Sequence, residues 1–194
     1  MPRPREFDET AVLDAATTVF WARGFKAAST RELVEAMGVT TASLYNAYGD
    51  KRALYRLVLD RYASGALTWC ASTLDEGPSA AAALDRFFEA LSQETLSGEA
   101  RQGCLVVNAG LEAGPHDPEF QTVVADVFSR ISALFCDCVR RGQADGSITQ
   151  AQSAEDLAGL LLSVMLGLRV IARTQPEPAV VLGLVRSATT VLRP

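Results

Sequence analysis

The chain has 194 residues, 48% of them hydrophobic, and carries 23 acids against 18 cations for a net charge of −5 and a pI near 5.0. That length suffices for one domain, or a small plus a larger one, with a sizeable core, and the apolar content excludes a disordered chain. No apolar run approaches the length of a membrane span and MPRPREFDE lacks a signal-peptide core, so the sequence predicts a soluble, cytoplasmic protein.

Arg3 and Arg5 beside Pro2 and Pro4 read as a short basic arm. A first helix follows from about Asp8 to Arg23, with Val12, Leu13, Ala16, Val19 and Phe20 inward and Gly24 as its stop. Ser29 with Glu32 three residues on forms a capping box for a second helix, which Gly38 ends in the left-handed region. Thr40 caps a third helix in which Leu44 and Tyr48 recur at i, i+4, and Asp50 caps a fourth that opens with Lys51 and Arg52. Two short helices around a glycine-centred turn have the plan of a helix-turn-helix.

The fourth helix is predicted to run to about Thr73, with Leu54, Leu57, Val58 and Arg61 on its inner stripe. Gly77-Pro78 breaks the pattern, and Leu84, Phe87, Phe88 and Leu91 mark another amphipathic helix from Ser79 to about Leu96. The tract from Gly103 to Glu112 is apolar except for Asn108 and Glu112. Alone it suits a strand or a buried helix, and the i, i+4 spacing of its two polar residues favours the helix. Asp117-Pro118-Glu119 opens a long helix with a cap, a proline at its first position and an acid in its first turn. Ser153 caps a very apolar helix to about Arg173, and a last helix follows from Ala179 to Leu192. The sequence therefore predicts an all-α fold of about nine helices with no convincing strand.

The tract Gly38-Val39-Thr40-Thr41-Ala42-Ser43-Leu44-Tyr45-Asn46-Ala47-Tyr48-Gly49-Asp50-Lys51 resembles the DNA-binding signature of the TetR/AcrR family of bacterial regulators. Ala15-Ala16 through Phe20, Gly24-Phe25 and Ser29-Thr30 are similar to the family's first helix and its approach to the second, so the likeness spans roughly residues 7 to 60. It implies a DNA-binding head, residues 1–52, and an effector-binding and dimerisation body, residues 53–194. Candidate DNA contacts are Ser29, Thr30, Thr40, Thr41, Ala42, Ser43, Tyr45, Asn46, Tyr48 and Lys51. The outward face of the third helix is small, hydroxylated, aromatic and amide, without an acid, and such a face enters a major groove without repelling phosphate. Lys51 at a helix N-terminus reads as a phosphate site. Residues 1–52 hold seven cations and seven acids, so the whole acidic excess lies in the body. A neutral head suits DNA contact by one end only, with modest non-specific affinity. Asn46-Ala47 departs from the commoner family pattern of bulkier or basic residues.

For the body the resemblance implies a pocket for a small-molecule effector and a two-fold homodimer through the last helices, as a palindromic operator requires. Candidate pocket residues are Trp69, Phe87, Phe88, Cys104, Asn108, Glu112, Phe128, Phe135, Met165 and Arg169. For the apolar members plain core packing is the alternative, and Glu112 with Arg169 alternatively forms one structural ion pair. Candidate dimer residues are Ala158, Gly159, Leu162, Leu166, Leu184, Ala188 and Val191. Cys104, after Gly103 at a helix start, sits where a thiolate is stabilised, and its tract resembles that of electrophile-, oxidant- or copper-responsive members. A buried small hydrophobe is the alternative there.

No cofactor or metal site is expected. Cys70, Cys104, Cys136 and Cys138 contain no CxxC pair, Cys136 and Cys138 point about 200° apart on a helix, and His116 is the only histidine. The HExxH, GxxxxGK, GxSxG and GxGxxG signatures are absent, so no catalytic residue is assigned. The reading is a DNA-binding repressor released by a small-molecule or redox signal. Its alternative is a ligand-binding or redox-sensing dimer that has lost DNA binding.

Overall fold

The computed structural model describes residues 8–97, 102–174 and 176–194, so the basic arm of Arg3 and Arg5 lies outside the described residues. Nine α-helices run through these residues, with 3-10 turns at Gly114–His116 and Ala172–Thr174 and no strand among them. The all-helical expectation holds.

Three helices form the head, a long first one and two short ones. Asp8 caps α1 (Glu9–Ala27), whose Val12, Ala16 and Phe20 are buried. Gly24 interrupts α1 with φ 80° and ψ 169°, a conformation that strains any residue with a Cβ. The chain then makes one further turn, Phe25 to Ala28, before Ser29 caps α2 (Thr30–Met37). Thr40 caps α3 (Thr41–Tyr48), and Leu33, Met37, Leu44 and Tyr48 close the core beneath.

Helix α4 (Lys51–Asp75) runs unbroken from head to body. Its buried set is Leu54, Tyr55, Val58, Leu59, Ala63, Leu67, Cys70 and Leu74. This differs from the predicted stripe, because Leu57 is 46% exposed and Arg61 faces solvent. The helix is covered by α7, α5, α1 and α6 along its length, so no single 3.6-residue stripe describes it.

The body adds α5 (Ala80–Ser97), α6 (Leu105–Glu112), α7 (Pro118–Asp145), α8 (Ala154–Ile171) and α9 (Pro178–Thr190). Its centre is aromatic. The Phe87 ring stands edge-on to Phe88 at 5.3 Å and to Phe135 at 5.2 Å, and all three side chains are fully buried. Burial of each contributes roughly 1.5–3 kcal/mol. These phenylalanines were candidate pocket residues; they are core instead, because their neighbours enclose them on every side.

Residues 154–174 are long and apolar enough to cross a membrane by length and composition, with mean hydropathy 1.7, contrary to the expectation of no such run. In the fold, α8 packs Leu157, Leu161, Met165 and Leu168 inward and leaves Leu160 and Val170 exposed.

Head and body lock together around the start of α4. Phe25, Tyr55 and Phe120 stack in one cluster with centroids 4.9 to 5.6 Å apart. Beside it, Arg52 donates to both oxygens of Asp117 at 2.8 and 3.0 Å and to Glu119, while Arg56 bridges Asp60 and Glu119.

Candidate nucleic-acid interface and body cavity

The α2–turn–α3 unit is built by caps. The Glu32 carboxylate accepts from Ser29 N–H at 3.0 Å, and Glu32 N–H donates back to the Ser29 hydroxyl at 3.2 Å. The Ser29 amide, then its hydroxyl, then nearby Arg23 hold the Glu32 carboxyl below its ordinary range. Gly38 takes φ 63° and returns its N–H to Glu35 and Val34 carbonyls, which sets the angle between the two helices. Thr40 accepts from Ser43 N–H at 3.1 Å.

This geometry turns Thr41, Ala42, Tyr45 and Asn46 outward, with Tyr45 48% exposed. Thr40 is exposed, and Ser43 is half-buried with its hydroxyl 2.9 Å from that of Thr40. Ser29 and Thr30 sit at the start of α2, where the Ser29 hydroxyl is engaged by Glu32. No acid lies on α3.

Two of the ten candidate contacts point elsewhere. Tyr48 is 8% exposed and packs into the head core, as its i+4 relation to Leu44 requires. Lys51 does not present a free ammonium at the α4 N-terminus. Its Nζ donates to the carbonyls of Phe25 and Ala28, each at 2.9 Å, and lies 4.9 Å from the Phe25 ring centroid. The nearby open carbonyls of the last α1 turn compete with phosphate for that cation.

Behind the head, residues of α4, α6, α7 and α8 line a cavity of about 410 Å³ that extends to Asp14 and Thr17 of α1. Trp69, Cys104, Phe128, Met165 and Arg169 line it, as do Tyr62, Cys70, Glu94, Val106 and Val107, which the pattern did not single out. Arg169 is mostly buried and donates to Glu94 at 2.6 Å. Burial alone would lower its pKa; the Glu94 bond more than offsets this and the guanidinium stays charged. Burial pushes the Tyr62 phenol well above its usual range, and the charge of the neighbouring Cys104 adds to the shift. Burial, chiefly, also pushes the Cys70 thiol up to about 11 and raises Cys136 and Cys138. Cys104 alone of the four cysteines is not fully buried. Cys104 is half-buried and packs against the hydrophobic core while lining the cavity.

Asn108 and Glu112 lie off the cavity, on the outer side of α6. Asn108 donates to Gln102 O and accepts from Arg173 at 3.0 Å. Glu112 is not among the residues lining the cavity and Arg169 pairs with Glu94, so Glu112 takes neither the pocket position nor the ion pair with Arg169. Its oxygens accept from Phe25 N–H at 2.9 Å and Lys26 N–H at 2.7 Å.

A helix-turn-helix head on a long shared helix, backed by an all-helical body with a cavity, defines a bacterial-type DNA-binding regulator. Residues 12–58 match the family described as bacterial regulatory proteins, tetR family, and residues 80–186 match the tetracyclin repressor-like C-terminal domain. The HTH-type transcriptional repressor ComR of Escherichia coli is 30% identical over 98% of this chain and 90% of its own length. The repressor DhaR of a Mycobacterium species is 29% identical over 86% and 84%. Among solved structures, a cysteine-substituted CifR bound to a 26-base-pair operator aligns with a TM-score of 0.86 at 33% identity, covering 97% of this chain and 98% of that one. Reduced NemR of E. coli shares the fold, with a TM-score of 0.83 at 16% identity over 94% and 96% of the two chains. The chain belongs to the TetR family and is a TetR-like DNA-binding transcriptional repressor.

Proposed function

We propose that this protein acts in the cytoplasm as a homodimer on a palindromic operator and leaves it when the body cavity is occupied or Cys104 is modified. The observation that carries the DNA reading is the acid-free, outward face of α3, with Thr41, Ala42, Tyr45 and Asn46 free to enter a major groove. Residues 1–52 serve as the reading head and 53–194 as the sensing and pairing body, with α4 common to both.

Pairing is assigned to α8 and α9. Val180, Leu182, Leu184, Leu160 and Val170 are each 38 to 51% exposed on these two helices, an apolar surface that a monomer would leave in water. Gly159 and Val191 are exposed and Leu162 half-buried beside them. Ala158 and Ala188 do not belong to that surface, since their own protomer covers them to 0% and 3% exposure. Leu166 is shared with the cavity wall.

The cavity suits a small, largely apolar molecule with an acceptor that meets Arg169 or Tyr62. Cys104 supports sensing of oxidants and electrophiles, because it is the least buried of the four cysteines and lines the same space. Release is then a shift between two dimer geometries with different operator affinities.

The test is fluorescence anisotropy on the protein's own upstream DNA, with and without hydrogen peroxide or N-ethylmaleimide, for wild type and Cys104→Ser. Salt-dependent, sequence-specific binding that the reagents abolish in wild type alone supports the reading. Absence of specific binding at low salt sinks the operator assignment, and equal release of both proteins sinks Cys104.

A further inference from the structure

Helix α6 connects the cavity to the head. At its start Cys104 lines the cavity, as does Tyr62 of α4. At its end the Glu112 carboxylate reaches out of the body to the amides of Phe25 and Lys26. Trp21 Nε1 donates to Gly103 O at 3.0 Å, so α6 is tied to α1 at both ends.

The helix is a stiff link. It spans eight residues, about 12 Å. Leu105, Val106, Val107 and Ala109 are buried, and Gly110 lies so close to α7 that a Cβ there would sit 3.1 Å from Val124 Cγ1. A close-packed short helix shifts as one body instead of absorbing a displacement along its length.

What Glu112 holds is also specific. Phe25 and Lys26 follow the Gly24 break, and their turn leads directly into the Ser29 cap of α2. The two carboxylate oxygens each take one N–H, at the end of the turn where a negative charge is favoured.

We propose that Glu112 is the positioning residue that carries a change at Cys104 to the helix-turn-helix, through the 25–28 turn. This rests on the cavity being the regulatory site. An adduct at the start of α6 displaces the helix, and the carboxylate delivers that displacement to the backbone on which α2 is mounted.

The experiment uses iodoacetamide on the full-length protein. The Cys104 sulfur bonds to the CH₂ carbon, iodide leaves, and the thiol proton passes to buffer; mass spectrometry confirms single alkylation. Operator Kd and deuterium uptake of the peptide spanning residues 25–28 are measured for free and alkylated protein, in wild type, Glu112→Gln and Glu112→Ala. Glutamine keeps the side-chain volume and one acceptor while setting an NH₂ against the other N–H, whereas alanine removes both acceptors and the volume. In wild type, alkylation is expected to weaken operator binding on the order of ten-fold and to raise uptake at 25–28. In Glu112→Gln both responses shrink to less than about two-fold, while the free-thiol protein still binds specific DNA. The inference is overturned if Glu112→Gln responds as fully as wild type, or if alkylation leaves uptake at 25–28 unchanged in wild type. Lack of operator binding by wild type, with the uptake response present and lost in Glu112→Gln, would sink the operator reading and uphold the coupling.

Discussion

Glu112 and Lys51 grip opposite ends of one turn. The Glu112 carboxylate takes the N–H groups of Phe25 and Lys26, and the Lys51 ammonium takes the carbonyls of Phe25 and Ala28. The anion stands at the positive end of the turn and the cation at the negative end, so both charges complement its dipole. One residue comes from the body and the other from the first turn of α4. Replacing Lys51 by methionine keeps the stem over Phe25 but leaves two part-buried carbonyls without their donor. The expected cost is about 1–3 kcal/mol. Urea unfolding followed by circular dichroism measures it, and a midpoint equal to wild type would show that water replaces the ammonium at no loss.

Substitution at Tyr45 tests the proposed recognition face apart from folding. Its ring is 48% exposed on α3 and it has no ring partner among the described residues. Tyr45→Ala should therefore shift stability by no more than about 0.5 kcal/mol. Loss of a groove or phosphate contact should weaken operator binding by about 1–3 kcal/mol, roughly ten-fold or more. Anisotropy and a thermal melt on the same samples decide this: a large loss of stability, or no loss of affinity, contradicts the placement of α3 in the groove.

The latch between Arg52 and Asp117 has a pH signature. The Arg52 side chain, foremost, and the amides of Glu119 and Phe120 hold the Asp117 carboxyl down at about 2, from an ordinary 3.8. A carboxyl depressed in the folded state contributes stability that is present above its unfolded pKa and is lost as pH falls through the folded one. The window for this group is therefore about pH 4 down to about 2. Arg52→Gln should return the Asp117 carboxyl towards its ordinary value and flatten that part of the stability profile. Carbon-detected NMR titration of Asp117 in both proteins is the direct check; an unmoved titration in Arg52→Gln would mean the backbone amides alone set it.

Much of this was legible in the residues. Capping residues announce themselves locally, so Ser29 with Glu32, Thr40, Asp117 and Ser153 mark helix starts that the fold uses. The inward set of the head follows from i, i+4 spacing in short helices covered on one side. The body is harder to read because apolar spacing gives a face and not a depth. Phe87, Phe88 and Phe135 have the composition of a cavity wall, yet lie at the centre where α5 and α7 meet. Ala158 and Ala188 similarly face their own core. Polar residues in apolar helices were the better signal, since each needs a partner. Glu112 found one across 87 residues of sequence in Phe25, and Arg169 found Glu94 across 75. No local pattern encodes such pairings.

The proposed pairing surface gives the sharpest test of the body. Leu182 and Leu184 on α9 are 49% and 39% exposed, beside Val180 at 51% and Leu160 on α8 at 38%. Covering the exposed half of such a side chain contributes about 1 kcal/mol, and a two-fold interface counts every residue twice. Two glutamates in place of Leu182 and Leu184 would set four buried charges against one another across the axis, a cost that the remaining apolar area cannot offset. The fold of the protomer should survive, because neither leucine belongs to its core. Wild type is expected to sediment at about twice its 20.7 kDa, and the double variant as a monomer with unchanged helical content. The monomer should also lose operator affinity, since one head cannot span two half-sites. A monomeric wild type, or a variant that still pairs, would move the interface away from α8 and α9.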